Sequence, residues 1–221
     1  MAETTVPFGD SELSALWDAA VEPRAVMGVA HGAGNDIQRP FFTGITEGLV
    51  EGSISVLRFN FPYMSAGRRY PDKPPVLTEA WRAVLEDLVR RADGLPAFAG
   101  GKSLGGRMAS LVAAKDGGEF AGAGLVFFGY PLHAPGKTEN LRDEHLSRVT
   151  VPMLFIQGTN DGLARFDLLE GVVDRLKLAR LHAIEGADHS FKVKGVKRDE
   201  REVGREVGGI AAGFIAEVVK R

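Results

Sequence analysis

Short apolar segments rich in β-branched residues alternate with amphipathic segments along almost the whole chain. The apolar segments are predicted strands, at 25–30, 54–61, 97–100, 122–128, 153–157 and 181–184. Segments with apolar residues at helical spacing are predicted helices, at 38–51, 77–92, 104–115, 166–176 and 203–218. Residues 11–20 are predicted to add an N-terminal edge strand. Because such alternation is typical of a mostly parallel sheet with helices on both faces, we predict fold class α/β, in a single domain spanning 1–221.

The composition narrows the classes of partner. Apolar residues make up 44% of the chain and charged residues 25%, as in ordinary globular proteins. A net charge of −2 offers no basic surface for nucleic acid or an anionic membrane, and no apolar run is long enough to span a bilayer. The chain has no cysteine, and its first ten residues do not resemble a signal peptide. We therefore expect a cytoplasmic protein with no nucleic-acid or membrane partner, while the oligomeric state stays open.

A candidate nucleophile lies between the third predicted strand and the helix that follows it. Residues 101–105 read Gly-Lys-Ser-Leu-Gly, the pattern G-x-S-x-G with Ser103 at its centre. A tight turn from strand to helix lifts the serine hydroxyl above the sheet, and small residues are needed two positions before and after it. The alternative interpretation is a glycine-rich turn with an incidental serine.

A serine hydroxyl needs a base to take its proton, and the base needs an acid to orient it. Asp161 follows the predicted strand 153–157, and His189 follows the next helix and strand. This order, serine then acid then histidine, is the one that the motif requires. Taken singly, Asp161 is also an ordinary turn residue and His189 an ordinary loop histidine. Because all three occur in order, we predict a catalytic triad of Ser103, Asp161 and His189.

The loop that follows the predicted strand 25–30 reads His-Gly-Ala-Gly, at residues 31–34. A glycine-bearing loop there can point the amide of Ala33 at the active centre, and the amide of Leu104 opens the helix after the serine. We predict these two amides as the oxyanion hole, with His31 bracing the loop. No cofactor or metal is predicted, because the adjacent Asp188 and His189 are a weak metal signal.

With these residues in hand, the chain resembles the α/β-hydrolase superfamily across nearly its whole length. It is most similar to the short, lidless branch often grouped with dienelactone hydrolases. The run Arg-Phe-Asn-Phe-Pro-Tyr at 58–63 resembles a segment of that branch. Dienelactone hydrolases proper use a cysteine nucleophile, which this chain lacks, so their lactone substrate is not carried over. The interval 133–150 holds 18 residues, too few for a folded cap.

The resemblance implies a serine hydrolase that cleaves small ester-type substrates, whether carboxylesters, thioesters or lactones. Its partner would be a small-molecule acyl substrate in a shallow, open site. Four aromatic residues at strand ends are predicted to line that site, although each fits the hydrophobic core equally well: Phe61, Tyr63, Tyr130 and Phe191. The alternative function is a catalytically silent scaffold or binding subunit that keeps the fold, because fold alone does not settle function.

Overall fold

The computed structural model describes residues 1–220, which form one eight-stranded sheet with helices on both faces. Six strands coincide with apolar segments that the sequence predicts. The strand predicted at 11–20 is also present, as β2, but it is not at the edge, because β1 pairs with its outer side. The strands are β1 (Ala2–Phe8), β2 (Ser11–Asp18), β3 (Ala25–Ala30), β4 (Ile54–Phe59), β5 (Ala97–Lys102), β6 (Gly124–Phe128), β7 (Met153–Gly158) and β8 (Ala179–Ile184).

Six α-helices connect and cover the strands. The helix at Pro62 is not among the predicted ones, and the helix at Pro74 begins three residues before its predicted start at residue 77. Both begin at prolines, which are well suited to the first turn of a helix. The helices are α1 (Pro40–Glu51), α2 (Pro62–Ser65), α3 (Pro74–Ala92), α4 (Leu104–Asp116), α5 (Phe166–Val173) and α6 (Glu200–Val219).

The strand order across the sheet is β1-β2-β4-β3-β5-β6-β7-β8. The strand β2 is antiparallel to both β1 and β4, and every other neighbouring pair is parallel. The carboxyl ends of β3, β5, β6, β7 and β8 therefore lie along one edge of the sheet. Loops at that edge carry the candidate site residues, as is general for open α/β sheets.

The hydrophobic core consists of one apolar layer on each face of the sheet. On one face of the sheet α3, α4 and α5 pack against the strands, and Trp81 and Met108 are fully buried there. On the other face α1 and α6 pack against the strands, and Ile45 and Ile215 are fully buried there. The central strands are buried on both faces, which is why they read as continuous apolar runs rather than alternating patterns.

The helices α1 and α6 approach each other closely through glycines. A Cβ on Gly44 would lie 1.9 Å from the carbonyl oxygen of Arg201, and one on Gly208 would lie 2.4 Å from that of Ile45. Gly204 and Gly208 therefore allow α6 to pack closely against α1.

The strand β1 was not predicted, because its burial is too slight to leave an apolar pattern: of its seven residues only Val6 is buried. Strand β4 ends at Phe59, two residues before its predicted end. Between β6 and β7 the only helical element in the described chain is a 3₁₀ turn, Glu144–Arg148, so the fold carries no cap there. None of the helices within residues 1–220 is long and apolar enough to cross a bilayer.

Candidate active site

Ser103 occupies a sharp turn between β5 and α4. Its backbone has φ +51° and ψ −114°, a conformation that non-glycine residues rarely adopt. The flanking glycines are required by close approach: a Cβ on Gly101 would lie 2.2 Å from the carbonyl oxygen of Ala30, and one on Gly105 would lie 2.5 Å from the same atom. Strain of this kind persists only where surrounding structure enforces it, and here β3 enforces it.

The serine, the histidine and the aspartate form a continuous chain of hydrogen bonds. Ser103 Oγ lies 2.9 Å from His189 Nε2, and His189 Nδ1 lies 2.6 Å from Asp161 Oδ2. The carboxylate is fully buried, whereas the imidazole is 24% exposed. With Nδ1–H donating to the carboxylate, Nε2 is left as an acceptor for the serine proton. This arrangement can remove a proton from Ser103 and hold the resulting imidazolium.

Asp161 is oriented by two further donors. The side-chain amide of Gln157 donates to Oδ2 at 2.5 Å, and the backbone amide of Leu163 donates to Oδ1 at 2.7 Å. Gln157 in turn accepts from the backbone amide of Tyr130 at 2.7 Å. The sequence analysis did not identify Gln157. A signal was available, since Gln157 is a lone polar residue at the end of the buried strand β7 and buried polar groups require hydrogen-bond partners.

The loops after β7 and β8 are pressed together, which brings Asp161 to His189 across 28 residues of chain. A Cβ on Gly158 would lie 2.2 Å from the carbonyl oxygen of Ala187, and the amide of Asn160 donates to that same oxygen at 2.9 Å. Asp188 takes a different part. Its Oδ1 accepts from the amides of Ser190 and Lys192, which shapes the loop.

The loop after β3 lies against Ser103: a Cβ on Gly32 would be 3.5 Å from Ser103 Cβ. His31 is fully buried and braces this loop, with Nδ1 donating to the Gly32 carbonyl at 2.7 Å and Nε2 accepting from the Phe61 amide at 3.0 Å. Burial lowers the pKa of His31 to about 4, so it is neutral near pH 7. Ala33 follows it on the exposed side of the loop.

Leu104, the other predicted oxyanion donor, is the first residue of α4. Amides in the first turn of a helix have no acceptor within the helix, and the helix dipole favours negative charge there. Ala33 and Leu104 therefore stand on the two segments that flank Ser103.

Lys102, for which the sequence predicts no role, is almost fully buried next to Ser103. Its Nζ donates to the backbone oxygen of His189 at 2.5 Å and lies 5.4 Å from the ring centre of Phe191. Burial lowers the pKa of Lys102 to about 8, which the negative charges of Asp161 and Asp188 partly oppose. A charged residue at the end of a buried strand was the available signal, because lysine is almost never fully buried without a partner.

Three of the four predicted pocket aromatics are corrected to core residues. Phe61, Tyr63 and Tyr130 have no exposed surface. The rings of Phe61 and Tyr63 contact the edge of His31 at 5.2 and 5.6 Å. The ring of Tyr130 packs on Phe127 at 5.3 Å, and its hydroxyl donates to the Arg142 carbonyl.

Phe191 is the exception among the four. It is 3% exposed and forms part of the wall of a cavity of about 510 Å³ that also touches Lys102 and Ser190. No three histidine, aspartate or glutamate side chains within residues 1–220 are placed to hold a metal ion together.

Comparison with known proteins agrees with this architecture. The profile of a family described as "Alpha/beta hydrolase domain" matches residues 23–216. That span includes the six strands β3 to β8, and it includes Ser103, Asp161 and His189.

Several solved structures share the fold at low sequence identity. Est1E from Butyrivibrio proteoclasticus is 16% identical with a TM-score of 0.76, and all of each chain is covered. Dienelactone hydrolase from Anabaena variabilis is 19% identical with a TM-score of 0.76, covering 98% of this chain and 96% of that one. XC6422 from Xanthomonas campestris, described as an α/β serine hydrolase without a lid, is 18% identical with a TM-score of 0.71, covering 100% and 94%.

Proposed function

Because this chain belongs to the α/β-hydrolase domain family, we propose that it is a serine esterase that cleaves small carboxylester, thioester or lactone substrates through an acyl-enzyme on Ser103. The observation that carries the proposal is the hydrogen-bonded chain from Ser103 Oγ through His189 to Asp161, at 2.9 and 2.6 Å. The cysteine of dienelactone hydrolases proper has no counterpart here, so the serine is the nucleophile.

In the first half of the reaction, Ser103 Oγ attacks the acyl carbon as its proton passes to His189 Nε2. The carbonyl π electrons move to the oxygen, whose negative charge the amides of Ala33 and Leu104 stabilise. When the tetrahedral intermediate collapses, the bond to the leaving oxygen or sulfur breaks, and His189 returns the proton to the leaving group. Asp161 keeps the imidazole in the required tautomer and stabilises the imidazolium.

In the second half, water replaces the leaving group. His189 Nε2 takes a proton from the water as its oxygen attacks the acyl carbon, and Ser103 leaves with that proton. The products are the carboxylic acid and free enzyme. The proton that Ser103 gives up moves along the described hydrogen bond to His189 Nε2, and the same nitrogen serves the leaving group and the water in turn, so the proposed mechanism uses no cofactor or metal. The proposal includes a cytoplasmic location, because a chain without cysteine has no disulfide for a reducing compartment to break.

A fluorophosphonate probe tests the proposal, because it reacts only with an activated serine. Intact-mass and peptide mapping of the folded protein should show one adduct, on Ser103. Wild-type protein pretreated with an unreactive phosphonate is the control for non-specific attachment. Folded protein without an adduct would overturn the esterase and favour the catalytically silent scaffold.

A further inference from the structure

The cavity beside Ser103 and His189 is built from three segments of the chain. Two of them are the loop between β3 and α1, together with the first turn of α1, and residues 190–203, and the third is the end of β5, which contributes Lys102. Lys102 and Ser190, which border the cavity, are the immediate chain neighbours of Ser103 and His189. Ser103 and His189 do not themselves line this space of about 510 Å³, and the contact that links it to them is the hydrogen bond from Lys102 Nζ to the His189 backbone oxygen.

One wall of the cavity is aromatic. The rings of Phe41 and Phe191 stack at 5.7 Å with an interplanar angle of 17°, and Phe42 lies behind them in the core. Phe191 has a φ of +61°, an uncommon conformation for a residue of its size. In this strained backbone conformation the Phe191 ring stacks on Phe41 and lies next to the Lys102 ammonium.

The cavity is strongly cationic, although the chain as a whole has a net charge of −2. A single carboxylate, that of Glu200, lies on its lining against five cationic side chains: Arg39, Lys102, Lys192, Lys197 and Arg198. Two of the cations are neutralised, because Lys192 pairs with Glu200 at 2.9 Å and Arg198 pairs with Glu206 at 2.6 Å.

The other three cations have no carboxylate within 4 Å anywhere in residues 1–220: Arg39, Lys102 and Lys197. They come from three different segments and meet on one cavity. Like charges gathered around a cleft with apolar walls concentrate the electric field there and attract ligands of the opposite charge.

Lys102 is the one of these cations that is buried, with 8% of its surface exposed. Its ammonium has three N–H donors, of which the backbone oxygen of His189 accepts one. Burying a charge with incomplete hydrogen bonding is costly unless a partner satisfies it. A ligand anion in the cavity would supply that partner.

We propose that this cavity binds an anionic group, a carboxylate or a phosphate monoester, on the substrate, so that the enzyme acts on esters of acidic rather than neutral compounds. The aromatic wall would hold the apolar chain between the ester and the anion, and Lys102, Arg39 and Lys197 would hold the anion. This inference rests on the proposed esterase function, and it names the substrate class for that same site.

A pair of substrates that differ only in charge tests the inference. In p-nitrophenyl hydrogen adipate the far end of the acyl chain is a carboxylate, and in p-nitrophenyl methyl adipate the same carboxylate is methylated. We expect kcat/KM to be at least about tenfold higher for the acid, mainly through KM, since one well-placed charge contact is of that size. The preference should shrink in high salt. Equal rates, or faster cleavage of the methyl ester, would overturn the inference.

The double variant Arg39→Gln/Lys197→Gln removes two of the cavity cations at exposed positions where folding is not at risk. We expect it to reduce the acid-to-methyl preference to about threefold or less. A matched control, Lys137→Gln/Lys177→Gln, removes two exposed lysines outside the cavity and should keep the wild-type preference. If both double variants lose the preference equally, net charge rather than this cavity is responsible, and the inference is wrong.

Binding without catalysis separates this inference from the esterase proposal. Calorimetry with Ser103→Ala should show monomethyl adipate binding at least about tenfold more tightly than dimethyl adipate. Ser103 labelling with no charge discrimination would leave the esterase standing and refute the anionic site. Charge discrimination without labelling of Ser103 would support the anionic site and overturn the esterase. Competition of butyl phosphate and butyrate against the neutral ester identifies the anion, because the stronger inhibitor carries the preferred group.

Discussion

The helix α4 and the turn before it carry two serine–histidine contacts that look alike by distance. Ser103 Oγ lies 2.9 Å from His189 Nε2, and Ser110 Oγ lies 2.8 Å from His145 Nε2. The direction of the hydrogen bond differs. Ser110 Oγ donates its single proton to the carbonyl oxygen of Arg107 at 2.8 Å, so it must accept a proton from His145. An imidazole that donates to a serine cannot also take that serine's proton.

The surroundings of the two pairs differ in the same sense. His189 has the buried carboxylate of Asp161 at Nδ1, which favours the tautomer with a free Nε2. His145 is buried, and that burial, with the charges of Arg107 and Arg148, lowers its pKa to about 4. A serine–histidine contact is thus not enough for catalysis. The strained turn and the carboxylate are what the proposed nucleophile has and Ser110 lacks.

The largest expected difference between the pairs is in turnover. Ser103→Ala should lower kcat for p-nitrophenyl butyrate by on the order of a millionfold, because the members of a triad act as a unit. Ser110→Ala should stay within about twofold of wild-type activity while losing about 1–2 kcal/mol of unfolding free energy with its buried hydrogen bonds. Steady-state kinetics and urea unfolding of both variants make the comparison. A Ser103→Ala protein that retains a few per cent of activity would contradict it.

The carboxylates can be compared in the same way. Asp161→Asn should lower kcat by about 10⁴, because an asparagine amide in place of the carboxylate favours the wrong histidine tautomer. Asp188→Asn should have a much smaller effect, since asparagine keeps the side-chain oxygen that accepts from the Ser190 and Lys192 amides. The two variants are measured on the same ester at the same pH. Greater damage from Asp188→Asn would show that the loop, not the Asp161 contact, controls the base.

How far the sequence predicts these features depends on how local their cause is. Ser103, Asp161 and His189 stand at strand ends in a fixed order, and strand ends of a parallel sheet share one edge, so their proximity follows from the pattern. Gln157 and Lys102 were missed because their importance depends on burial and on partners far along the chain. Lys102 and the His189 carbonyl, for example, are 87 residues apart.

The pocket aromatics show why the remainder of the site was not predictable. An aromatic residue at a strand end fits either the core or a cavity wall, and periodicity does not distinguish the two. Phe61, Tyr63 and Tyr130 went to the core, whereas Phe191 reached the cavity through a loop with positive φ that no local pattern signals. The cavity itself depends on where residues 190–203 cross α1, which only the packed structure determines.

A smaller effect is expected at Lys102, which binds the backbone of His189 and has no equivalent beside His145. Lys102→Met removes the hydrogen bond at 2.5 Å to the His189 carbonyl and leaves that oxygen without its donor. We expect kcat for a neutral ester to fall about tenfold, the equivalent of about 1.4 kcal/mol, through a less well-held imidazole. Lys102→Arg keeps a donor and should recover part of the loss. An unchanged kcat in Lys102→Met would remove any positioning role.

The smallest expected effect concerns His145 and is seen in stability rather than in rate. Burial is the main reason that its pKa falls from 6.5 to about 4 in the folded protein. In the unfolded chain His145 binds a proton as the pH falls below about 6.5, whereas in the folded state it does not until about pH 4. The unfolded state therefore binds more protons in that range, so the stability that is fully present above about pH 6.5 is lost toward pH 4.

Replacing His145 with glutamine isolates this contribution, because the glutamine amide can still donate to Ser110. Between pH 7 and pH 5 the wild-type protein should lose about 1 kcal/mol more unfolding free energy than His145→Gln, after allowance for partial solvent screening. His31, whose pKa is also lowered to about 4 by burial, is present in both proteins and cancels. Urea unfolding at the two pH values gives the difference. If both proteins lose stability equally, His145 is free to become protonated when folded, and the contrast with His189 would rest on the direction of the serine hydrogen bond alone.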